Sequence, residues 1–208
     1  MKVKGSGGFK KQKILELSGQ SILDVGCSFG KFSLFARDAG KEVVGVDKNI
    51  ESLYEAHKAG ISVIAGDAAA LPFPNKSFDT VLLFDIIEHT KEEIAVLQEA
   101  KRVARKNILL SVPKSDEYSR HDAGVTYHSY FDPTHLRYYT QESLKKALKK
   151  SGFERFSIEY FSRVRPLLFY RRIGIPVFLL KVADIILWTV GKKTEHFYQT
   201  LFAEIRLD

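Results

Sequence analysis

The sequence predicts an α/β protein built on a doubly wound, mostly parallel sheet, and three observations carry that expectation. Short apolar runs at 22–25, 42–47, 61–65, 80–84 and 107–113 alternate with stretches of helical periodicity, and several are continuous enough to suit strands buried on both faces. The first run breaks abruptly into Gly26 and Gly30 and passes at once into a helix. With 208 residues, 45% hydrophobic and 27% charged, the chain is long enough for one domain with a substantial core. Regular strand–helix alternation as far as Pro113 then makes a parallel sheet with crossover helices the natural arrangement.

Ser21-Ile22-Leu23-Asp24-Val25-Gly26-Cys27-Ser28-Phe29-Gly30 reads as strand, tight loop and helix start. The helix begins near Lys31, with Phe32, Leu34, Phe35 and Ala36 as its apolar members, and points its unsatisfied amides and positive dipole end at the loop. A ligand can therefore touch the main chain there. A dinucleotide turn requires G-x-G-x-x-G, of which the series Gly26, Ser28, Lys31 meets only the first position, and a phosphate-cradling G-x-x-x-x-G-K-[ST] is absent. What stands instead is D-x-G-x-x-x-G. The carboxylate of Asp24 would repel a diphosphate but can accept hydrogen bonds from an amino group. Cys27 is the single cysteine, which excludes internal disulfides and a cysteine-rich zinc site and suits a reducing compartment. With no evident base beside it, Cys27 reads as a small residue filling a tight loop rather than a nucleophile.

ILDVGCSFGKF resembles the first motif of the class I S-adenosylmethionine-dependent methyltransferases, L-D-x-G-C-G-x-G, with Ser28 where the middle glycine usually sits. The likeness extends over roughly residues 13–160, in several motifs in the right order, and points to the small-molecule, ubiquinone-type branch. It implies a Rossmann-like sheet of seven strands with the last antiparallel, S-adenosylmethionine as cofactor, and Asp24, Gly26, Cys27, Ser28 and Gly30 around it.

Taken in order, residues 1–12 combine glycines and lysines without an apolar h-region, so a flexible start and no signal peptide are expected. Ile14, Leu15 and Leu17 suggest a short helix closing one side of the loop. The second strand ends in Asp47, about twenty residues after the glycine turn, where α/β folds place a ribose-binding carboxylate; Lys48 follows it. The resemblance has this acid accept from both ribose hydroxyls, and the competing reading is an N-cap for a helix over 50–58. In GDAAALPFPNKSFD, the resemblance assigns Asp67 to the adenine amino group and the Ala68 amide to the ring, while Phe73 and Phe78 read as core and loop anchors. Asp85 emerges at the carboxyl end of the fourth strand, which in similar enzymes lies beside the methionine part and the methyl group. A Glu-His pair is frequent after that exit, here Glu88-His89, although these residues can equally begin and charge the next helix. Lys101, Arg102, Arg105 and Lys106 read as a solvated, basic helix end.

Residues 114–139 form a polar, aromatic stretch of little periodicity, expected to be a substrate lid. His121, His128 and His135 are spaced by seven, but without cysteines or a tight H-x-x-x-H no metal is expected. Thr140 is placed as the N-cap of a helix with Leu144, Ala147 and Leu148 on its buried stripe, ending at Ser151-Gly152. HLRYYTQESLKKALKKSGFE resembles the segment before the sixth strand of small-molecule methyltransferases; His135 and Tyr138 would then face the acceptor, a histidine bonded to loop backbone being the alternative. Strands are expected over 153–160 and 196–207, separated by an apolar helical insertion, 161–195. Charges and prolines break that insertion too often for a transmembrane helix, so it is expected to cap the acceptor pocket, pair with a second copy or touch a membrane surface peripherally.

The function these readings converge on is in-line methyl transfer from the sulfonium of S-adenosylmethionine to an oxygen, carbon or nitrogen of a small molecule, in the cytoplasm. His89, His135 and Asp85 are the candidate bases if the acceptor needs one. The net charge of +7 raises RNA or protein as acceptor, but no RNA-binding module is evident, and Asp85-Ile86-Ile87-Glu88 replaces the N-P-P-Y of base-methylating enzymes. A dinucleotide-dependent oxidoreductase lacks its glycine turn, and a binding protein without turnover is the remaining rival.

Overall fold

A computed structural model of the protein describes residues 6–114, 132–163, 179 and 198–207. His121, His128 and most of the stretches 114–139 and 161–195 lie outside the described residues. The elements follow in the order α1 (Ser6–Leu17), β1 (Ser21–Val25), α2 (Lys31–Asp38), β2 (Glu42–Asp47), α3 (Ile50–Lys58), β3 (Ser62–Ala65), β4 (Phe78–Phe84), a 3-10 turn (Ile87–His89), α4 (Glu93–Val103), β5 (Ala104–Pro113), α5 (Gln141–Lys150), β6 (Phe156–Arg163) and β7 (Tyr198–Arg206). No helix among them is long and apolar enough to cross a membrane.

The strands join in one seven-stranded sheet of order β3-β2-β1-β4-β5-β7-β6. Pairing is parallel from β3 through β5, whereas β7 runs antiparallel to both β5 and β6, as the resemblance implied. All seven residues of β4 are buried, which explains its unbroken apolar run: helices cover both faces. Alternate side chains serve opposite layers. Val81 and Leu83 join Leu97, Val103, Leu144 and Leu148 of α4 and α5, while Leu82 and Phe84 join Ile14 and Ala36 of α1 and α2. Thr140 caps α5 as expected, its hydroxyl accepting from the Ser143 amide (3.1 Å) while the Ser143 hydroxyl accepts from the Thr140 amide (2.9 Å).

Two expectations are corrected. Residues 6–12 are not a flexible start but the first half of α1. Gly7 and Gly8 disfavour a helix locally, yet Phe9 stacks on Phe161 with ring centroids 4.4 Å apart and meets Phe202 edge-on at 5.5 Å, so tertiary burial overrides propensity. The basic cluster after α4 is not merely solvated. Arg102 donates to the Leu71 and Phe73 carbonyls (2.9 and 2.7 Å) and pairs with Glu99, while Arg105 and Lys106 meet the buried Asp79 at 2.9 and 3.2 Å. These contacts lace the loop before β4 to the start of β5.

Leu109, 0% exposed at the centre of β5, gives the fold a direct test. Leu109→Ala is expected to cost about 2–5 kcal/mol of unfolding free energy through lost burial and the cavity left behind. Urea denaturation followed by circular dichroism measures it, and a cost under about 1 kcal/mol would show that the site collapses freely.

Candidate active site

The loop between β1 and α2 is held by backbone geometry. Gly26 and Gly30 have φ of +70° and +77°, and Ser28, in the place of the usual middle glycine, also adopts the left-handed region at +48°. At a φ of +70° a Cβ on Gly26 would be strained and would stand 1.9 Å from the Ile86 side chain, which would have to move, so glycine is favoured there. Gly30 serves packing rather than the cleft: a Cβ there would press on Ala56 at 3.2 Å. The Gly26 and Cys27 amides both donate to the Val46 carbonyl (2.7 and 3.1 Å), tying the loop to the end of β2. Burial, reinforced by the Asp24 and Asp47 charges, pushes the Cys27 thiol up to about 12, which removes it as a nucleophile near neutral pH.

Each of the first three strands delivers a carboxylate to the same side of the sheet. Asp24 of β1 is 3% exposed and accepts from the Ser33 hydroxyl at 2.6 Å. Burial pushes its carboxyl up to about 6, with Ser33 opposing and Asp47 adding to the rise. Asp47 of β2 accepts from the Ser28 amide (2.8 Å) and the Asn49 amide (2.9 Å). Asn49, not Asp47, is the N-cap of α3, accepting from Ser52 at 2.9 Å. Asp67, beyond β3, accepts from the Ala69 amide (2.9 Å) and pairs with Lys48 (3.0 Å), which together hold its carboxyl below the usual range. That pair is exposed and therefore weak, so a ligand can displace it cheaply. A cleft of about 580 Å³ lies over Gly26, Asp47, Asp67, Ala68 and Leu136. It adjoins a second of about 440 Å³ over Asp24, Cys27, Ser28 and Asp85, and His89 and Ile86 line both. The two extend along the carboxyl ends of the parallel strands, where open α/β sheets keep their ligands.

At the exit of β4 the chain turns through Asp85, with φ of +57°. Both its carboxylate oxygens are engaged: one accepts from the Ser111 hydroxyl at 2.9 Å and the other pairs with Lys10. Lys10 of α1 is only 4% exposed, its ammonium 5.3 and 5.6 Å from the Phe84 and Phe32 ring centroids. The sequence reading missed this lysine, as it missed Ser33, because both matter only through distant partners. Glu88, in the 3-10 turn, is 0% exposed; burial and the nearby Asp85 push its carboxyl up to about 8. His89 and His135, singled out separately, come together with ring centroids 4.6 Å apart, and Tyr138 lies 5.7 Å from His135. Residues 132–139 are fastened onto this turn: the Leu136 amide donates to the Glu88 carbonyl (2.8 Å), and Arg137 donates to the Ile87 and Thr90 carbonyls (3.0 and 2.6 Å).

Residues 23–112 match the family profile for a methyltransferase domain. Over that stretch the chain is similar to class I S-adenosylmethionine-dependent methyltransferases. Among curated relatives, a probable S-adenosylmethionine-dependent methyltransferase of Mycolicibacterium smegmatis is 28% identical over 142 residues, 66% of this chain and 53% of that one. A demethylmenaquinone methyltransferase of Renibacterium salmoninarum is 37% identical over 89 residues, 42% and 38% of the respective chains. The chain thus spans about half the length of the curated relatives it matches. A solved S-adenosylmethionine-dependent methyltransferase of Archaeoglobus fulgidus superposes with a TM-score of 0.70 at 21% identity, over 99% of this chain and 96% of that one.

The Lys10–Asp85 pair is asymmetric, the lysine being buried and the aspartate side chain 46% exposed. Lys10→Met replaces a desolvated ammonium by an apolar group and leaves a carboxylate that water can reach, so stability should change by less than about 1 kcal/mol. Asp85→Ala strands the buried ammonium and should cost about 2 kcal/mol, less than for a fully buried pair. Urea midpoints of the two variants decide it; equal losses would remove the asymmetry.

Proposed function

We propose that the protein transfers a methyl group from S-adenosylmethionine to a small-molecule acceptor by in-line displacement. The observation that carries this reading is the placement of Asp24, Asp47 and Asp67 at the ends of successive strands around one continuous cleft. Their spacing suits a ligand with an ammonium, a ribose diol and an adenine amine in that order. Asp24 is the ammonium partner: it is buried and its bonding partners among the described residues, the Ser33 hydroxyl and amide, are neutral, so a ligand cation compensates its desolvation. Asp47 takes the ribose, and Asp67 with the Ala68 amide takes the adenine edge. Gly26 and Ser28 bring bare backbone against the ligand between them. When bound, S-adenosylmethionine supplies a methyl carbon made electrophilic by its sulfonium, leaving as a neutral thioether. The protein's own contribution is positioning and exclusion of water at the β4 exit, with His89 and His135 as the groups able to take a proton from an acceptor. The name of the Renibacterium relative supports a small-molecule acceptor.

Calorimetric titration with S-adenosylmethionine tests the assignment. Asp47→Ala should weaken binding by about 2 kcal/mol through lost charge-assisted bonds, and unchanged affinity would remove Asp47 from the site. The pH dependence follows from Asp24, whose carboxyl in the ligand-free protein titrates at about 6. Below that value it must lose a proton before it can pair with an ammonium, so affinity should be flat above pH 7 and fall by up to about tenfold per unit below 6. Asp24→Asn should be weak and flat across the same range; a wild-type profile without a break near 6 would defeat the role.

The composition of 161–195 supports an apolar cap with basic edges beside the acceptor, able to contact an anionic lipid surface or a second copy of the chain. Liposome flotation and light scattering on the wild type and a 164–195 deletion, which spares Phe161 and the end of β6, test this. A wild type that is monomeric and ignores anionic vesicles would leave only packing against the protein's own sheet.

A further inference from the structure

We infer that Glu88, His89 and His135 form a binding site for a divalent first-row transition cation at the mouth of the cofactor cleft. One ligating atom from each residue lies within 4.8 Å of the others, and the three come from two separate segments, the 3-10 turn after β4 and the stretch before α5. Zinc-like ions bind nitrogen and oxygen ligands at about 2.0–2.2 Å, so an ion would draw the three together by a shift on the order of 1 Å, within the reach of side-chain rotation.

Glu88 supplies the second and independent observation. Its side chain is 0% exposed, yet neither carboxylate oxygen has a hydrogen-bond partner among the described residues. A buried carboxyl group left this way is costly, and protonation alone would still leave its hydroxyl without an acceptor. Lys10, a buried cation near this turn, is already engaged by Asp85. A cation held jointly with the two imidazoles answers the deficit.

The surroundings suit such a site. The Thr134 hydroxyl stands 2.9 Å from Nδ1 of His89, and Asp132 Oδ2 lies 3.7 Å from Nε2 of His135, partners of the kind that orient metal-ligating imidazoles. Two imidazoles and one carboxylate favour zinc, cobalt or iron(II) over magnesium and calcium, which take all-oxygen shells. Three protein ligands leave a coordination position open, and His89, which lines both parts of the cleft, directs it toward the donor.

The role assigned to the ion rests on the methyl-transfer reading and selects an oxygen acceptor. With both imidazoles ligating, neither acts as the base; the ion instead lowers the pKa of an acceptor hydroxyl, whose proton leaves to solvent. An oxygen lone pair then forms the C–O bond as the S–CH₃ bond breaks, its electron pair staying on sulfur; the products are a methyl ether and a neutral thioether, and the ion's charge is unchanged.

Cobalt(II) is the probe. Chelator-treated protein, titrated with Co²⁺ and followed by its visible d–d absorption, is expected to bind one ion per chain, displaced by Zn²⁺. Glu88→Gln and His135→Gln, each checked for folding by thermal melting, should each weaken Co²⁺ binding by more than about tenfold. Absence of a one-to-one complex in the wild type, or binding untouched by both substitutions, overturns the site. Calorimetry with S-adenosylmethionine on the same chelated wild type separates the two readings. Cofactor binding with no Co²⁺ site would sink this inference alone. A Co²⁺ site without cofactor binding would uphold the ligands and overturn their role in methyl transfer.

Discussion

Two amides sharing one carbonyl hold the functional edge of this protein together. Gly26 and Cys27 donate to Val46, and that joint brings the end of the first strand against the end of the second. Asp24, buried behind the loop, and Asp47, in front of it, are thereby set on either side of a short stretch of bare backbone. The joint requires a φ at Gly26 that would strain a side chain and press it against Ile86. Ile86 in turn belongs to the exit of β4, so the same contact couples the cofactor loop to the turn that carries Glu88 and His89.

The electrostatics of the cleft are arranged by burial more than by net charge. Among the described residues no cation is paired with Asp24 or Glu88, and burial drives both toward their neutral forms. Asp85, also in the cleft, has Lys10 and the Ser111 hydroxyl as partners. Asp67, at the rim, is held ionised by a backbone amide and Lys48. Four carboxylates in or beneath one concavity thus occupy different environments, and that difference separates groups prepared to receive a cation from groups already supplied with one.

The strand-end acids were legible in the sequence because their signals are local. An apolar run marks the strand, a glycine or a turn marks its end, and the acid at that end follows from the local pattern, as at Asp24 and Asp47, whereas Asp67, beyond Gly66, came from the resemblance. The sheet class was legible for the same reason, and the antiparallel β7 came from resemblance rather than from periodicity. What escaped notice depends on partners far away in the chain. Lys10 sits in a glycine- and lysine-rich stretch whose composition argues for coil, and only Phe161 and Phe202, some 150 residues or more further on, make it helical and buried. Ser33 looked like a polar gap in an apolar helix face until Asp24 was seen to lie against it. His89 and His135 were each noted, but nothing in a spacing of 46 positions says that their rings meet.

Ser28 deserves a kinetic and entropic reading as well as a geometric one. A serine in the left-handed region carries steric strain of roughly 1 kcal/mol that glycine would avoid. Against this, serine has fewer backbone conformations than glycine in the unfolded chain, an advantage of similar size, about 0.4–1 kcal/mol. The two nearly cancel in stability but not in stiffness. With its amide bonded to Asp47, the loop is confined to one shape before any ligand arrives. Ordering that a glycine loop would undergo on binding has here already been done on folding, so association loses less entropy and proceeds nearer to a rigid fit than to an adaptive one.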